Sequence, residues 1–292
     1  MKCQSARQSA RQSAHQSGFS LVELIVVIVL VGIIGGVLSL QLAPAIRAYL
    51  LVSQRANLTN QADGALRRMT VDVRSAVPNS LRLNSPTCLD LVPTSGGGRF
   101  RTAPDSGAGA VQASWINEAE SGVEFDVLST LGQDPGANDA IVVGNRSPDD
   151  VYSQANIALV TQTVATDARA GTRRIRLDRP LQVPPGYDGA RFQVVPDGQR
   201  VVTYLCLPAV DAAGNGSGEL LRFARNDFGA PALCTKPAGA AVVASRVATC
   251  SFAVYANAGG TQDSGYVQLQ LTLSDKGEAV PLTIGTRVDN LP

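Results

Sequence analysis

From Phe19 to Leu42 the chain runs for 24 residues with one acid, Glu23, and no base. Besides Glu23, only Ser20, Ser39 and Gln41 are polar there. As a helix, such a run is long enough to cross the ~30 Å hydrocarbon core of a bilayer. A carboxylate four residues inside it is the anomaly. At the centre of a membrane helix an acid costs about 2.5–3.5 kcal/mol, so an intramembrane acid points to function and needs a partner. No base lies within one helical turn of Glu23. The partner must come from elsewhere.

Cutting the chain between Gly18 and Phe19 supplies one, because Phe19 then carries a free α-ammonium and Glu23 becomes the fifth residue. Gly18-Phe19-Ser20-Leu21-Val22-Glu23 resembles the start of the type IV pilin superfamily: a basic leader ending in Gly, then Phe, then Glu at the fifth mature position of an apolar helix. The resemblance implies cleavage after Gly18 by a prepilin peptidase and methylation of the Phe19 nitrogen. It also implies that Glu23 neutralises the terminal amine of a neighbouring subunit as helices bundle into a filament. Two desolvated opposite charges are tolerable together in lipid and costly apart.

Two other readings stay open at this point. Ala43-Pro44-Ala45 supplies the small-x-small site of a conventional signal peptide, although the apolar run exceeds the usual 7–15-residue core. The mature chain would then begin at Ile46. A plain uncleaved anchor is the other reading, and it leaves Gly18, Phe19 and Glu23 without a role.

Residues 1–18 repeat Gln-Ser-Ala-Arg with small changes, a low-complexity pattern with no packing face. Their bases are Lys2, Arg7 and Arg11, with no acid. By the positive-inside rule this places the N-terminus in the cytoplasm and the bulk of the chain beyond a bacterial inner membrane, as a periplasmic head. Removing those three bases from 25 leaves 22 against 24 acids, a net −2. Nothing in that balance argues for nucleic acid as a partner.

Beyond the membrane run, Ile46, Tyr49, Leu50, Leu58, Ala62, Leu66, Met69, Val73 and Val77 recur at spacings near three and four, with Arg and Asp between them. This is the pattern of an amphipathic helix with one apolar stripe. Pro44 bends the helix rather than ending it, and Pro78-Asn79 stops it. Phe19–Val77 is 59 residues, or about 85–90 Å at 1.5 Å per residue.

After Leu81 the chain reads as β structure. Strands are expected at Cys88–Val92, Val123–Leu128, Ala140–Val143, Ile157–Val164, Arg173–Leu177, Phe192–Val195, Val201–Leu207, Leu220–Ala224, Ala248–Tyr255, Tyr266–Leu273 and Val280–Val288. Gly96-Gly97-Gly98, Gly132–Asn138, Ser147–Asp150, Pro184–Gly189 and Asp211–Gly218 read as loops. The expected fold class is α+β, a long N-terminal helix laid on a mostly antiparallel β head. The domains are a leader (1–18), a membrane half-helix (19–44), an amphipathic half (45–77) and a head (78–292), with an inserted β-subdomain around 95–200.

Four cysteines remain after Cys3 is lost with the leader: Cys88, Cys206, Cys234 and Cys250. An even number in an exported domain favours two disulfides, and three connectivities are open. The shortest loop selects Cys234–Cys250, leaving Cys88–Cys206.

The segments Val201–Cys206, Gly218–Phe223, Cys250–Phe252 and Arg287–Pro292 are similar to the larger minor pilins. The nearest are the MSHA (mannose-sensitive haemagglutinin) pilus biogenesis protein O group. The J-type pseudopilins of type II secretion are more distantly similar and are the alternative within the superfamily. What this implies is a minor pilin, with other pilins, the prepilin peptidase and the inner-membrane assembly machinery as partners, and no cofactor. A pilus-tip adhesin or DNA-capturing subunit is the alternative of another class.

Catalysis finds little support. The only histidine, His15, lies in the leader, which removes histidine-based triads and His-ligated zinc. Asp149-Asp150, Glu118/Glu120 and Glu124/Asp126 are acid pairs, and Glu124 and Asp126 share one face of a strand. Such pairs usually mark a solvated sheet face. Asp211, Asn215 and Glu219 place oxygens along a Gly-rich turn, a calcium candidate that lacks EF-hand spacing. Trp115, the single tryptophan, is expected in the core.

Overall fold

The computed structural model describes residues 18–106, 109–230, 233–255 and 266–288. Most of the leader and the closing Asp289–Pro292 lie outside the described residues. The chain divides into two compact units, Met1–Ser53 and Gln54–Pro292.

In the first unit every described residue from Gly18 to Ser53 is exposed. It consists of the first part of helix α1 (Leu21–Arg74), which runs without a break through Pro44. This helix is long and apolar enough to cross a membrane.

The second unit is built on the rest of α1. Leu58, Ala62, Leu66, Met69 and Val73 are buried there. Ile46, Tyr49 and Leu50, expected in the same stripe, are exposed. The packed stripe thus begins at Leu58. α1 also ends three residues before the expected Val77. The Val77 N–H bonds the Val92 carbonyl at 2.8 Å, and Thr94 donates both its N–H and its hydroxyl to the Ser75 carbonyl. Strand-like partners capture the backbone before Pro78 is reached.

The buried stripe meets a seven-stranded antiparallel sheet. Its strands are β1 (Arg82–Ser85), β2 (Cys88–Leu91), β9 (Val201–Leu207), β10 (Gly218–Arg225), β11 (Ala241–Tyr255), β12 (Tyr266–Asp275) and β13 (Glu278–Arg287), in that order across the sheet. Leu89, Leu91, Tyr204, Leu220, Leu269 and Leu271 close over the helix. Alternation along each strand sends these side chains to one face. β12 alternates most cleanly, with Val267, Leu269, Leu271 and Leu273 buried.

A second sheet is drawn entirely from residues 96–195: β3 (Gly96–Arg99), β4 (Gly122–Val127), β5 (Ala140–Val143), β6 (Ile157–Val164), β7 (Arg173–Leu181) and β8 (Arg191–Val195). Its order is β3-β8-β5-β6-β7-β4. The two ends of that order then meet. Phe100 bridges Val127, Leu128 N–H donates to the Arg99 carbonyl at 2.8 Å, and Arg101 N–H donates to the Asp126 carbonyl at 2.9 Å. The sheet closes into a small barrel and leaves no free edge. Phe100, Phe125 and Phe192 fill it edge to face, with centroids 5.9 and 5.3 Å apart.

The barrel enters and leaves the first sheet at one place, since β2 and β9 are paired neighbours with Leu91 opposite Val202. Its outer wall, through Ala140, Val142, Ile157 and Val195, packs on Val77, Val92, Val201 and Phe228.

Several elements differ from expectation, among them β11, which begins at Ala241 rather than Ala248, and β7, which runs to Leu181 rather than Leu177. Gly96–Gly98 is a strand rather than a loop, because the barrel demands it. A Cβ on Gly97 would lie 2.5 Å from the Phe192 carbonyl oxygen on β8, so only glycine permits that approach. β1 is a short edge strand with a register shift between Leu83 and Ser85. The Ser147–Asp150 segment leads into a one-turn helix, α2 (Pro148–Tyr152), where the Asp150 carboxylate accepts the N–H groups of Arg146 and Ser147.

Candidate functional site

Helix α1 starts at Leu21, and Ser20 caps it. The Glu23 N–H donates to the Ser20 hydroxyl at 3.2 Å, and the Leu24 N–H donates to the Ser20 carbonyl at 3.2 Å. Glu23 is therefore an acid in the first turn of a long helix, where the macrodipole favours negative charge. Ser20-Leu-Val-Glu23 has the spacing of a capping box. That helix-start signal was present in the letters, but the membrane reading of Glu23 masked it. Phe19 is 80% exposed, and nothing lies within 4 Å of the position a Cβ on Gly18 would take. Gly18 and Phe19 are both exposed, and Phe19 stands four residues before Glu23.

The four cysteines form two disulfides, but not the expected ones: Cys88 joins Cys234 and Cys206 joins Cys250. Register explains the correction. Cys88 stands opposite Leu205, not Cys206, so Cys88 and Cys206 point to opposite faces of the sheet. Cys206 packs with the helix-side core. Cys88 packs on the far side with Leu205, Leu221 and Phe223. Loop length alone carries no information about face.

The proposed calcium loop is tied up internally. The Asp211 carboxylate accepts the N–H groups of Ala213 and Asn215 and the Asn215 side-chain amide, at 2.9, 2.8 and 3.1 Å. These bonds, the Asn215 side-chain bond foremost, hold its carboxyl below the usual range. Glu219 instead pairs with Lys236 Nζ at 2.5 Å. The three oxygens have separate partners. Among the described residues no group of three or more His, Cys, Asp or Glu is placed to hold a metal ion.

Glu124 and Asp126 do share a face of β4, yet that face is not a solvated one. Asp126 is fully buried and receives Arg174 through Nε at 2.7 Å and Nη2 at 3.0 Å. Glu124 lies 3.5 Å from Arg174 and 3.4 Å from Arg176, and it accepts the Ser114 hydroxyl. Two acids between two arginines are a structural ion network. Of the other pairs, Glu120 accepts Trp115 Nε1 at 2.6 Å, Glu118 accepts the Gly186 N–H, and Asp150 caps α2. Trp115 is half-buried at the surface rather than in the core.

Sequence reading missed two further acids. Asp72 on α1 accepts the Tyr204 hydroxyl at 2.8 Å and Arg222 Nε at 2.6 Å. Asp90 on β2 accepts Arg82 Nη2 at 2.8 Å, Arg225 Nη2 at 2.8 Å and the Thr203 hydroxyl at 2.6 Å. The Arg82 guanidinium also lies 3.7 Å over the Tyr152 ring. Burial first, then Asp90, pushes the Tyr152 phenol far above its ordinary value, and burial then Asp72 does the same for Tyr204. Each acid meets partners more than 100 residues away, so no local spacing reveals it.

Comparison with known proteins singles out the N-terminus. Residues 13–39 match the family model described as the prokaryotic N-terminal methylation motif. No curated protein and no solved structure matches the chain. The matched segment contains Gly18, Phe19, Ser20 and Glu23 and supports the type IV pilin superfamily. Together with the apolar start of α1, it fits a membrane-anchored pilin or pseudopilin, a class of structural subunits.

Proposed function

We propose that this chain is a minor type IV pilin of the MSHA-like kind, which takes part in priming, assembling or capping a pilus. The observation that carries this reading is Glu23 in the otherwise uncharged apolar run Phe19–Leu42, four residues after Phe19 within the methylation motif. The prepilin peptidase cuts after Gly18 and the new Phe19 amine is methylated. Residues 19–44 hold the subunit in the inner membrane with its N-terminus cytoplasmic. Residues 45–77 carry the helix into the head at 78–292, in which 95–200 is an insertion. On assembly, the α1 helices pack side by side and Glu23 meets a neighbour's Phe19 amine. Desolvation makes that pair specific: each charge is costly in lipid without the other.

A charge partner and a helix cap make different demands on Glu23. Glutamine keeps the length and polarity of the side chain but not its charge, whereas alanine removes both. Glu23→Gln and Glu23→Ala are each expected to leave membrane insertion and cleavage intact and to reduce the chain's recovery in sheared pili at least ~10-fold, an energy of about 1.4 kcal/mol. Wild-type recovery of Glu23→Gln would remove the charge-partner role from Glu23.

A further inference from the structure

The seam that closes the barrel joins Arg99–Arg101 to Asp126–Leu128, and β3 begins before it. Arg99 turns its main chain toward the seam, where its N–H donates to Ser129 Oγ at 3.0 Å and its carbonyl accepts the Leu128 N–H at 2.8 Å. Main-chain groups alternate in direction along an antiparallel pair, so Gly97, two residues earlier, turns the same way. Ser129 and Leu131 still lie against Gly98, since a Cβ there would stand 2.5 Å from Ser129 Oγ and 3.0 Å from Leu131 Cδ2. Beyond Gly98 the two walls part. Among the described residues no strand pairs with Gly96 or Gly97 on that side, and Thr130–Gln133 make no main-chain bond to them.

The split opens into a cavity of about 790 Å³ between β3, residues 130–133, Gln193 on β8 and the end of α1 at Val71 and Arg74. Among the described residues that line it there is no acid and no aromatic ring. A metal ion would find no carboxylate there, and a nucleic-acid base no ring to stack on. Amides and hydroxyls are what the walls offer: the side chains of Thr130, Gln133 and Gln193 hold no partner among the described residues. Gly96 and Gly132 line the cavity without a reason in the fold. Neither has a positive φ, and a Cβ on either would meet nothing within 4 Å. Glycine in a strand that no turn or contact demands marks a place where another backbone comes close.

We infer that the split takes an extended segment of another polypeptide as an added strand on Gly96–Gly97. The Gly97 N–H and carbonyl pair with its main chain, and Thr130, Gln133 and Gln193 bond its remaining polar groups. Strand addition draws affinity from main-chain bonds and specificity from the walls. Arg74 is the one charged residue among the described residues of the lining, so a segment of small uncharged side chains suits it and a basic one does not. The cavity falls within the ~300–1,000 Å³ typical of ligand sites.

The test uses the full-length chain in detergent micelles, immobilised and offered acetylated, amidated hexapeptides randomised over Gly, Ala, Ser, Thr and Val. A second pool carries the same side chains with every other backbone nitrogen methylated, which removes donors that strand pairing needs. The unmethylated pool is expected to be retained about tenfold better. Gly96→Leu/Gly132→Leu sets two side chains in open space at the cavity, and the preference is expected to vanish with the urea midpoint and both disulfides unchanged. Gln193→Ala removes an amide that bonds nothing among the described residues and is expected to weaken retention about threefold, which keeps the assignment testable should added bulk disturb β3. Equal retention of the two pools, retention of neither, or retention of maltohexaose in their place would each overturn it. So would a preference that survives the double glycine variant in a folded chain, or one that Gln193→Ala leaves at full strength. A chain that enters pili normally can still fail this test, so its outcome is separate from the pilin reading.

Discussion

Tyr152 and Tyr204 show how much the second unit stakes on single buried groups. Both hydroxyls donate within the fold, Tyr152 to the Ser80 carbonyl at 3.0 Å and Tyr204 to Asp72 at 2.8 Å. Their phenols are held above the ordinary value by burial first and by Asp90 and Asp72 second, and burial also raises Tyr187. In the unfolded chain these phenols ionise near pH ~10, while in the folded chain they stay neutral beyond that. Above about pH 10 the unfolded state therefore holds fewer protons, and stability falls as pH rises. Below it the contribution is fully present. Each buried phenol is expected to steepen the alkaline loss by about 1.4 kcal/mol per pH unit. Urea midpoints for wild type and Tyr204→Phe at several pH values between neutral and about 11 check this. The variant is expected to lose stability less steeply, and parallel curves would rule out Tyr204 as a contributor.

Among the elements, β3 was the least legible. Three consecutive glycines read as a loop because β propensity reflects side-chain packing, and glycine has none to offer. What makes Gly96–Arg99 a strand is the close approach of β8, which no local pattern encodes. A methyl group on Gly97 would meet the Phe192 carbonyl oxygen, a backbone atom with little room to move. Gly97→Ala is expected to cost about 1–3 kcal/mol, measured as a shift in the urea midpoint of the detergent-solubilised chain. A neutral result would mean that β3 is free to separate from β8. By contrast, strands such as Val201–Leu207 and Ile157–Val164 were read to the residue, because β-branched and apolar runs bounded by turns are local signals. The helix-side stripe was legible from Leu58 onward. Ile46, Tyr49 and Leu50 carry the same spacing yet stay exposed, since periodicity reports a face and not what covers it.

Over the whole molecule, the α+β class and the helix-on-sheet arrangement followed from patterning, whereas disulfide pairing and barrel closure did not. Both depend on register between distant strands: Cys88 opposite Leu205, and Phe100 opposite Val127. Glu23 stood out because a lone acid in an apolar run is anomalous on energetic grounds, while Gly18 and Phe19 came from the resemblance, within the segment that the methylation motif matches. The buried acids Asp72 and Asp90 were not legible, because Tyr204 and Arg222, and Thr203 and Arg225, are remote from them in sequence. The chain enters and leaves the barrel at one paired junction between β2 and β9, and both disulfides lie outside it. Replacing residues 95–198 with a short Gly/Ser linker is therefore expected to leave Cys88–Cys234 and Cys206–Cys250 correctly paired. Peptide mapping without reduction reads the outcome directly. Scrambled pairing would mean that the first sheet needs the barrel in order to form.

The most direct measurement is intact mass and N-terminal sequencing of the chain extracted from its native membrane. A chain that begins at Phe19, with one added methyl on its amine and Glu23 fifth, is the expected result. A chain that keeps residues 1–18, or one that begins at Ile46, would deny Glu23 its terminal partner and contradict the pilin assignment.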